Sequence, residues 1–176
     1  MPKKLSLDEL NRLSISEFKK APKVPVIVVL DNIRSLSNIG SIFRTADAFR
    51  IEAVYLCGVT AKPPHREIHK TALGASESVD WLYFKTTKEA VNNLISNNFK
   101  IISIEQVDNS IILNDFQPEQ HGKYALVFGN EVHGVNDEII ELSDSCIEIP
   151  QHGTKHSFNV SVSVGIVLWD IVLKLK

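Results

Sequence analysis

The chain has 176 residues, 44% hydrophobic and 23% charged, enough for one domain with its own core and too few for two full ones. No apolar run approaches the roughly 18 residues that a membrane-spanning helix needs, and the charges at the start are not followed by the apolar stretch of a secretory signal, so a cytoplasmic protein with no membrane partner is expected. The formal net charge of −2 gives no overall attraction to nucleic acid, and the two cysteines, Cys57 and Cys146, are too few for a disulfide framework and read as buried thiols.

Charge is nevertheless uneven along the chain. Residues 1–25 carry six cations against three acids, whereas Lys123 is the only cation between 101 and 150. Apolar residues at helical spacing (Leu7, Leu10, Leu13, Phe18) predict an appended basic helix over residues 1–23, which Pro22 and Pro25 separate from a main domain over 24–176. Residues 26–30 form a continuous β-branched run, the pattern of a strand buried on both faces of a parallel sheet. Ile39, Ile42, Phe43, Ala46 and Phe49 then repeat as one face of a helix.

The alternation continues with strands at 53–57, 101–104, 124–128 and 146–149 and helices at 88–97 and 137–142. It predicts an α/β domain with a mostly parallel sheet flanked by helices. Residues 160–164 alternate with period two, yet Val160, Val164, Val167, Ile171 and Leu175 share one helical face, and the length of the run favours a helix. On that helix Ser161, Ser163 and Gly165 are small enough for another backbone to approach.

In open α/β sheets ligands bind beyond the carboxyl ends of the strands. Three loops there carry more polar groups than a turn needs: residues 31–38, the glycine-bracketed segment 129–134 around Glu131, and 150–159. Taken singly, Arg44 reads as a solvated arginine outside the apolar face of its helix, and Ser157 or Asn159 as the cap of the last helix. Nucleotide-binding and hydrolase signatures (G-x-G-x-x-G, G-x-x-x-x-G-K-[ST], G-x-S-x-G) are absent. His65 and His69 are four apart, but the string H-R-E-I-H is not a zinc motif and no third ligand accompanies it, so no metal is expected. His133 and His156 flank the candidate loops.

Together, residues 38–49 (N-I-G-S-I-F-R-T-A-D-A-F), 126–134 (L-V-F-G-N-E-V-H-G) and 149–162 (I-P-Q-H-G-T-K-H-S-F-N-V-S-V) resemble the three ordered motifs of the SpoU/TrmH family of RNA ribose methyltransferases in the SPOUT superfamily. Residues 70–75 (K-T-A-L-G-A) resemble a further stretch of that pattern, and the likeness spans roughly residues 24–172. The resemblance implies transfer of a methyl group from S-adenosylmethionine (AdoMet) to a ribose 2′-hydroxyl of tRNA or rRNA. It implies a homodimer whose sites each borrow first-motif residues from the other subunit, and a sheet whose carboxyl-terminal part is threaded into a trefoil knot. By matching positions, Asn38, Arg44, Glu131, Ser157 and Asn159 would be the catalytic set, and Ile104, Gly129, Ile149 and Phe158 would hold AdoMet; Phe158 replaces the leucine common in the family. A guanidinium rarely gives up its proton, so Arg44 is expected to stabilise the developing alkoxide and grip a neighbouring phosphate. Two rival readings are an inactive RNA-binding member of the same fold and an unrelated enzyme using the helix start at 38–40 as a phosphate site.

Overall fold

The computed structural model describes residues 2–6 and 8–175. Leu7, which the amino-terminal pattern includes, lies outside them. The elements in chain order are α1 (Ile15–Lys20), β1 (Val24–Asp31), α2 (Leu36–Phe49), β2 (Ile51–Cys57), α3 (Arg66–Ala72), α4 (Ala75–Ser78), β3 (Asp80–Phe84), α5 (Thr87–Ser96), β4 (Lys100–Ile104), β5 (Ile111–Ile112), β6 (Tyr124–Phe128), α6 (Asp137–Glu141), β7 (Ser145–Glu148) and α7 (Val160–Lys174). A short 3-10 turn at Asp8–Leu10 precedes α1.

The seven strands form one sheet in the order β3-β2-β1-β6-β4-β7-β5, and every ladder in it is parallel. Parallel neighbours must be reached by crossovers, and the crossovers cover both faces. Val26, Val28 and Leu30 pack toward α2, α3, α4 and α7, while Ile27 and Val29 pack with Ala90, Val91 and Leu94 of α5 and Ile139 of α6. That two-sided burial is why β1 reads as an unbroken apolar run.

Pro25 belongs to β1 instead of ending a linker, and the register with β2 shifts between Val24 and Ile27, where proline's missing N–H costs no regular ladder bond. Upstream, Ser14 and Glu17 form a reciprocal capping box on α1, which buries Phe18 in the core shared by β1 and α2. The ambiguous segment 160–164 is helical. Asn159 caps it, and Val160, Val164, Val167, Leu168 and Ile171 are buried.

Three elements had no signal in the apolar pattern: β3, a partly exposed edge strand, and the short α3 and α4. The two-residue β5 at the other edge is equally silent.

Candidate active site

The carboxyl ends of β6, β4 and β7 lie side by side, and the loops that leave them enclose a cleft of about 400 Å³. Its walls include Ile104, Gly129, Glu131, Ile149, Ser157 and Phe158, together with both flanking histidines, His133 and His156. All four residues expected to hold a cofactor are therefore wall residues. Ile104, Phe128, Ile147, Ile149 and Phe158 supply flat apolar surface.

Backbone geometry shapes the floor. A Cβ on Gly129 would lie 1.9 Å from the carbonyl carbon of Gly134, so only glycine lets these two stretches of main chain touch. Gly134 has φ of +68°, and its N–H donates to Asn130 O at 3.0 Å, closing the loop. The Asn130 side chain accepts from the N–H groups of Val132 and His133, which leaves Glu131 projecting from a compact turn.

Side chains distant in sequence meet at the cleft mouth. Asn38 Nδ2 donates to Glu131 Oε1 at 3.0 Å, and Asn159 Nδ2 donates to Asn38 Oδ1 at 3.1 Å. Asn159 does two jobs, because its Oδ1 also accepts from Ser161 N at 3.0 Å as the cap of α7. One side chain thus both caps α7 and joins the contacts at the cleft mouth. Asn38 is the third residue of α2, whose cap is Ser35, and so stands one turn inside the helix.

Arg44 is not brought to this cleft. It sits on the exposed side of α2, outside the cleft wall, and pairs with no acid among the described residues.

The electrostatics select among ligands. Glu105, Glu131 and Glu148 border the cleft, and no lysine or arginine among the described residues lines it. An anionic ligand would find no counter-charge there, whereas AdoMet, with a sulfonium, an α-ammonium and a flat adenine, suits acids set in apolar walls. The phosphate alternative at 38–40 also fails on packing. A Cβ on Gly40 would lie 2.0 Å from Thr71 Oγ1 and 2.3 Å from Ile68 O, so this glycine serves the contact of α2 with α3 and opens no anion site.

Two acids matter here: Glu105, which the sequence left unmarked, and Asp31, which it marked only as the start of the polar segment 31–38. Glu105 follows β4 directly; its Oε2 accepts from Val135 N at 2.9 Å and its Oε1 from Gln106 N at 3.0 Å, which braces the 129–135 loop. Asp31, only 2% exposed at the end of β1, accepts from the Thr87 hydroxyl, from Asn32 Nδ2 at 2.8 Å and from Asn136 N at 3.2 Å. A polar residue directly after a buried strand was the available signal for both. Burial meanwhile pushes the Cys57 thiol from 9.0 up to about 12, and burial with the nearby Glu105 charge raises Cys146. Neither thiol is poised as a nucleophile. His65 stands just before α3 and accepts from Glu67 N through Nδ1 at 3.2 Å, a capping role, and no group of three metal-binding side chains occurs among the described residues.

Residues 25–169 match the sequence model of the SpoU rRNA Methylase family. The chain is 34% identical over 165 residues to an uncharacterized tRNA/rRNA methyltransferase of Borreliella burgdorferi, covering 92% of this chain and 69% of that protein. It is 30% identical over 149 residues to the 23S rRNA (guanosine-2′-O-)-methyltransferase RlmB of Escherichia coli, covering 84% and 60% respectively. The crystal structure of the A. aeolicus TrmH/SpoU tRNA modifying enzyme has the same fold, with a TM-score of 0.78 and 27% identity over 89% of this chain and 78% of that one. The chain thus spans about two thirds of the length of these curated relatives.

Proposed function

The chain belongs to the SpoU rRNA methylase family of AdoMet-dependent RNA methyltransferases, and from that premise we propose that it methylates a ribose 2′-hydroxyl in structured tRNA or rRNA. The observation that carries this reading is the contact chain Glu131–Asn38–Asn159, which joins three segments lying 93 and 121 residues apart at the mouth of one acidic, apolar-walled cleft.

When bound, AdoMet supplies an electrophilic methyl group, so the protein's task is alignment and charge stabilisation. Backbone around Ile104, Gly129, Ile149 and Phe158 would hold the cofactor between the cleft loops. Glu131 and Asn38 fix the mouth, while Ser157 and Asn159 orient the ribose. A guanidinium at the 2′-oxygen stabilises the negative charge that develops as the hydroxyl proton leaves to solvent.

That guanidinium comes from a second copy of the chain. Val162, Trp169 and Leu173 are about half exposed or more on one face of α7, at spacings of seven and four residues. A Cβ on Gly165, near the same face, would meet nothing within 4 Å. Glycine inside an exposed helix costs roughly 0.5–1 kcal/mol relative to alanine, a cost understandable where another backbone packs on it. Trp169 also meets Phe49 of α2 edge-on at 6.4 Å, which makes the stripe continuous with the helix that bears Arg44. A partner seated here delivers its arginine to this cleft.

The test is mapping of 2′-O-methyl sites in tRNA and rRNA incubated with the protein and AdoMet, beside thermal unfolding with and without the cofactor. A new modified ribose and a raised Tm at saturating AdoMet are expected. No cofactor stabilisation and no modified ribose would sink the proposal, whereas cofactor stabilisation without any RNA product would favour the inactive-member reading. Whether the substrate is tRNA or rRNA is read from the same map.

A further inference from the structure

Edge strand β3 carries two aromatic residues that the cofactor cleft does not use: Trp81, half-buried against the core, and the exposed Tyr83. Trp81 and Tyr83 are two residues apart, so they project from one face of the strand, with Cα atoms roughly 6.6 Å apart. Tyr83 is 38% exposed; its hydroxyl donates to Gly58 O at 3.0 Å, and Lys62 Nζ lies 4.3 Å from the ring centroid. Trp81 separates two hollows of about 480 Å³ each, which share Ser76, Glu77 and Trp81. One of them is edged by Pro64, Arg66 and His69.

The segment that precedes α3 is basic where the cleft is acidic, whereas the hollow shared by Trp81 and Asp80 is lined by Glu52, Glu77 and Asp80 with Lys19 alone. Between residues 61 and 70 the exposed Lys62, Arg66 and Lys70 and two exposed histidines face a single acid, Glu67, which is already paired with Lys70 at 3.0 Å. Lys62 stands over the Tyr83 ring and Arg66 edges the hollow that Trp81 also lines, an arrangement that suits an unstacked nucleotide strand, with bases on the exposed ring surface and phosphates at the cations. Glu77 is placed to accept from base amino groups. In sheet order β3 stands three ladder steps from β6, roughly 14 Å from the strand that leads into the cleft.

We propose that the Trp81–Tyr83 face of β3, with Lys62 and Arg66, is a second RNA-binding site that grips unpaired nucleotides of the substrate away from the methylated ribose. This rests on the reading that the substrate is RNA.

The test measures binding of a fluorescein-labelled single-stranded oligouridylate decamer to the full chain by anisotropy across a salt series. Tyr83→Leu and Trp81→Leu should each weaken binding about tenfold, while Trp81→Phe, which keeps a stacking face, should stay within about threefold of the unaltered protein. Lys62→Gln with Arg66→Gln, both at exposed positions, should lower the slope of log K against log salt by about 1.4, at roughly 0.7 per released phosphate contact. AdoMet-induced stabilisation should be the same in all these variants. Unchanged oligonucleotide affinity in Tyr83→Leu and the double variant overturns the site, as does a change of oligomeric state in Tyr83→Leu, which would make this face a protein interface. Loss of AdoMet stabilisation in the unaltered protein, with the oligonucleotide effects intact, would instead sink the methyltransferase reading and leave the platform standing.

Discussion

The two halves of the sheet's carboxyl edge are built on opposite plans. Over β1 and β2 the loops are tied down: the Thr60 hydroxyl donates to Leu30 O and accepts from Ile33 N, Val59 N donates to Asn32 Oδ1 at 3.1 Å, and buried Asp31 gathers three donors. Over β6, β4 and β7 the loops meet through main-chain contact at Gly129 and reach the other half through Asn136 N on Asp31 and the exposed links of Glu131 and Asn159 to Asn38, and a cleft opens between them. One half uses its polar groups for rigidity and the other leaves them for a ligand, so substitutions on the two sides should fail by different measurements.

The contrast is tested most severely at Arg44, which contributes to neither half of its own chain. Arg44→Ala should lower kcat for RNA methylation about a thousandfold, roughly 4 kcal/mol of barrier, with Tm and AdoMet stabilisation unchanged. Arg44→Lys should rescue little, since an ammonium lacks the planar fork; normal turnover in either variant would remove Arg44 from the site. On the tied side, Asp31→Ala strands buried donors and should cost about 3 kcal/mol, a fall of roughly 6–12 °C in Tm by calorimetry. On the open side, Gly129→Ala forces two stretches of main chain apart, so cofactor affinity should fall about thirtyfold, ~2 kcal/mol by titration calorimetry, beside a loss of Tm.

The smallest effect depends on pH. Because the folded Cys57 thiol holds its proton to about 12 while the unfolded thiol releases it from about 9, the stability it contributes below pH 9 is lost as pH rises through that window, by about 1.4 kcal/mol at pH 10. Urea midpoints at pH 8 and 10 should converge less for the unaltered chain than for Cys57→Ala, which has no proton to hold.

Most of the architecture was legible because its signals are collective. The runs at 26–30 and 124–128 are apolar throughout since both faces of those strands are covered, and the period of the last helix outweighed its local two-residue alternation. Asp80–Phe84 was not legible: an edge strand with one face open mixes Asp, Trp, Leu, Tyr and Phe without a clean period. The site divides in the same way. The glycines at 129 and 134 marked out the loop around Glu131, but nothing local could reveal that Asn38 bonds Glu131 and Asn159, since those contacts exist only once the sheet order is set. The brace at Glu105 was missed, and Asp31 was marked only as the start of the segment 31–38, because a single acid after a strand resembles any solvated loop residue.

The far end of α7 has its own consequence. Lys174 donates to the carbonyls of Leu113, Asn114 and Phe116 at 2.9–3.1 Å and pairs with Asp170 at 2.7 Å, while Asn159 fastens the opposite end to Asn38. A rod of about 22 Å anchored at both tips turns as one piece. Strain introduced where the ribose docks would therefore surface at the remote border of the sheet, and slower amide exchange around residues 113–116 on loading the cleft would be its signature.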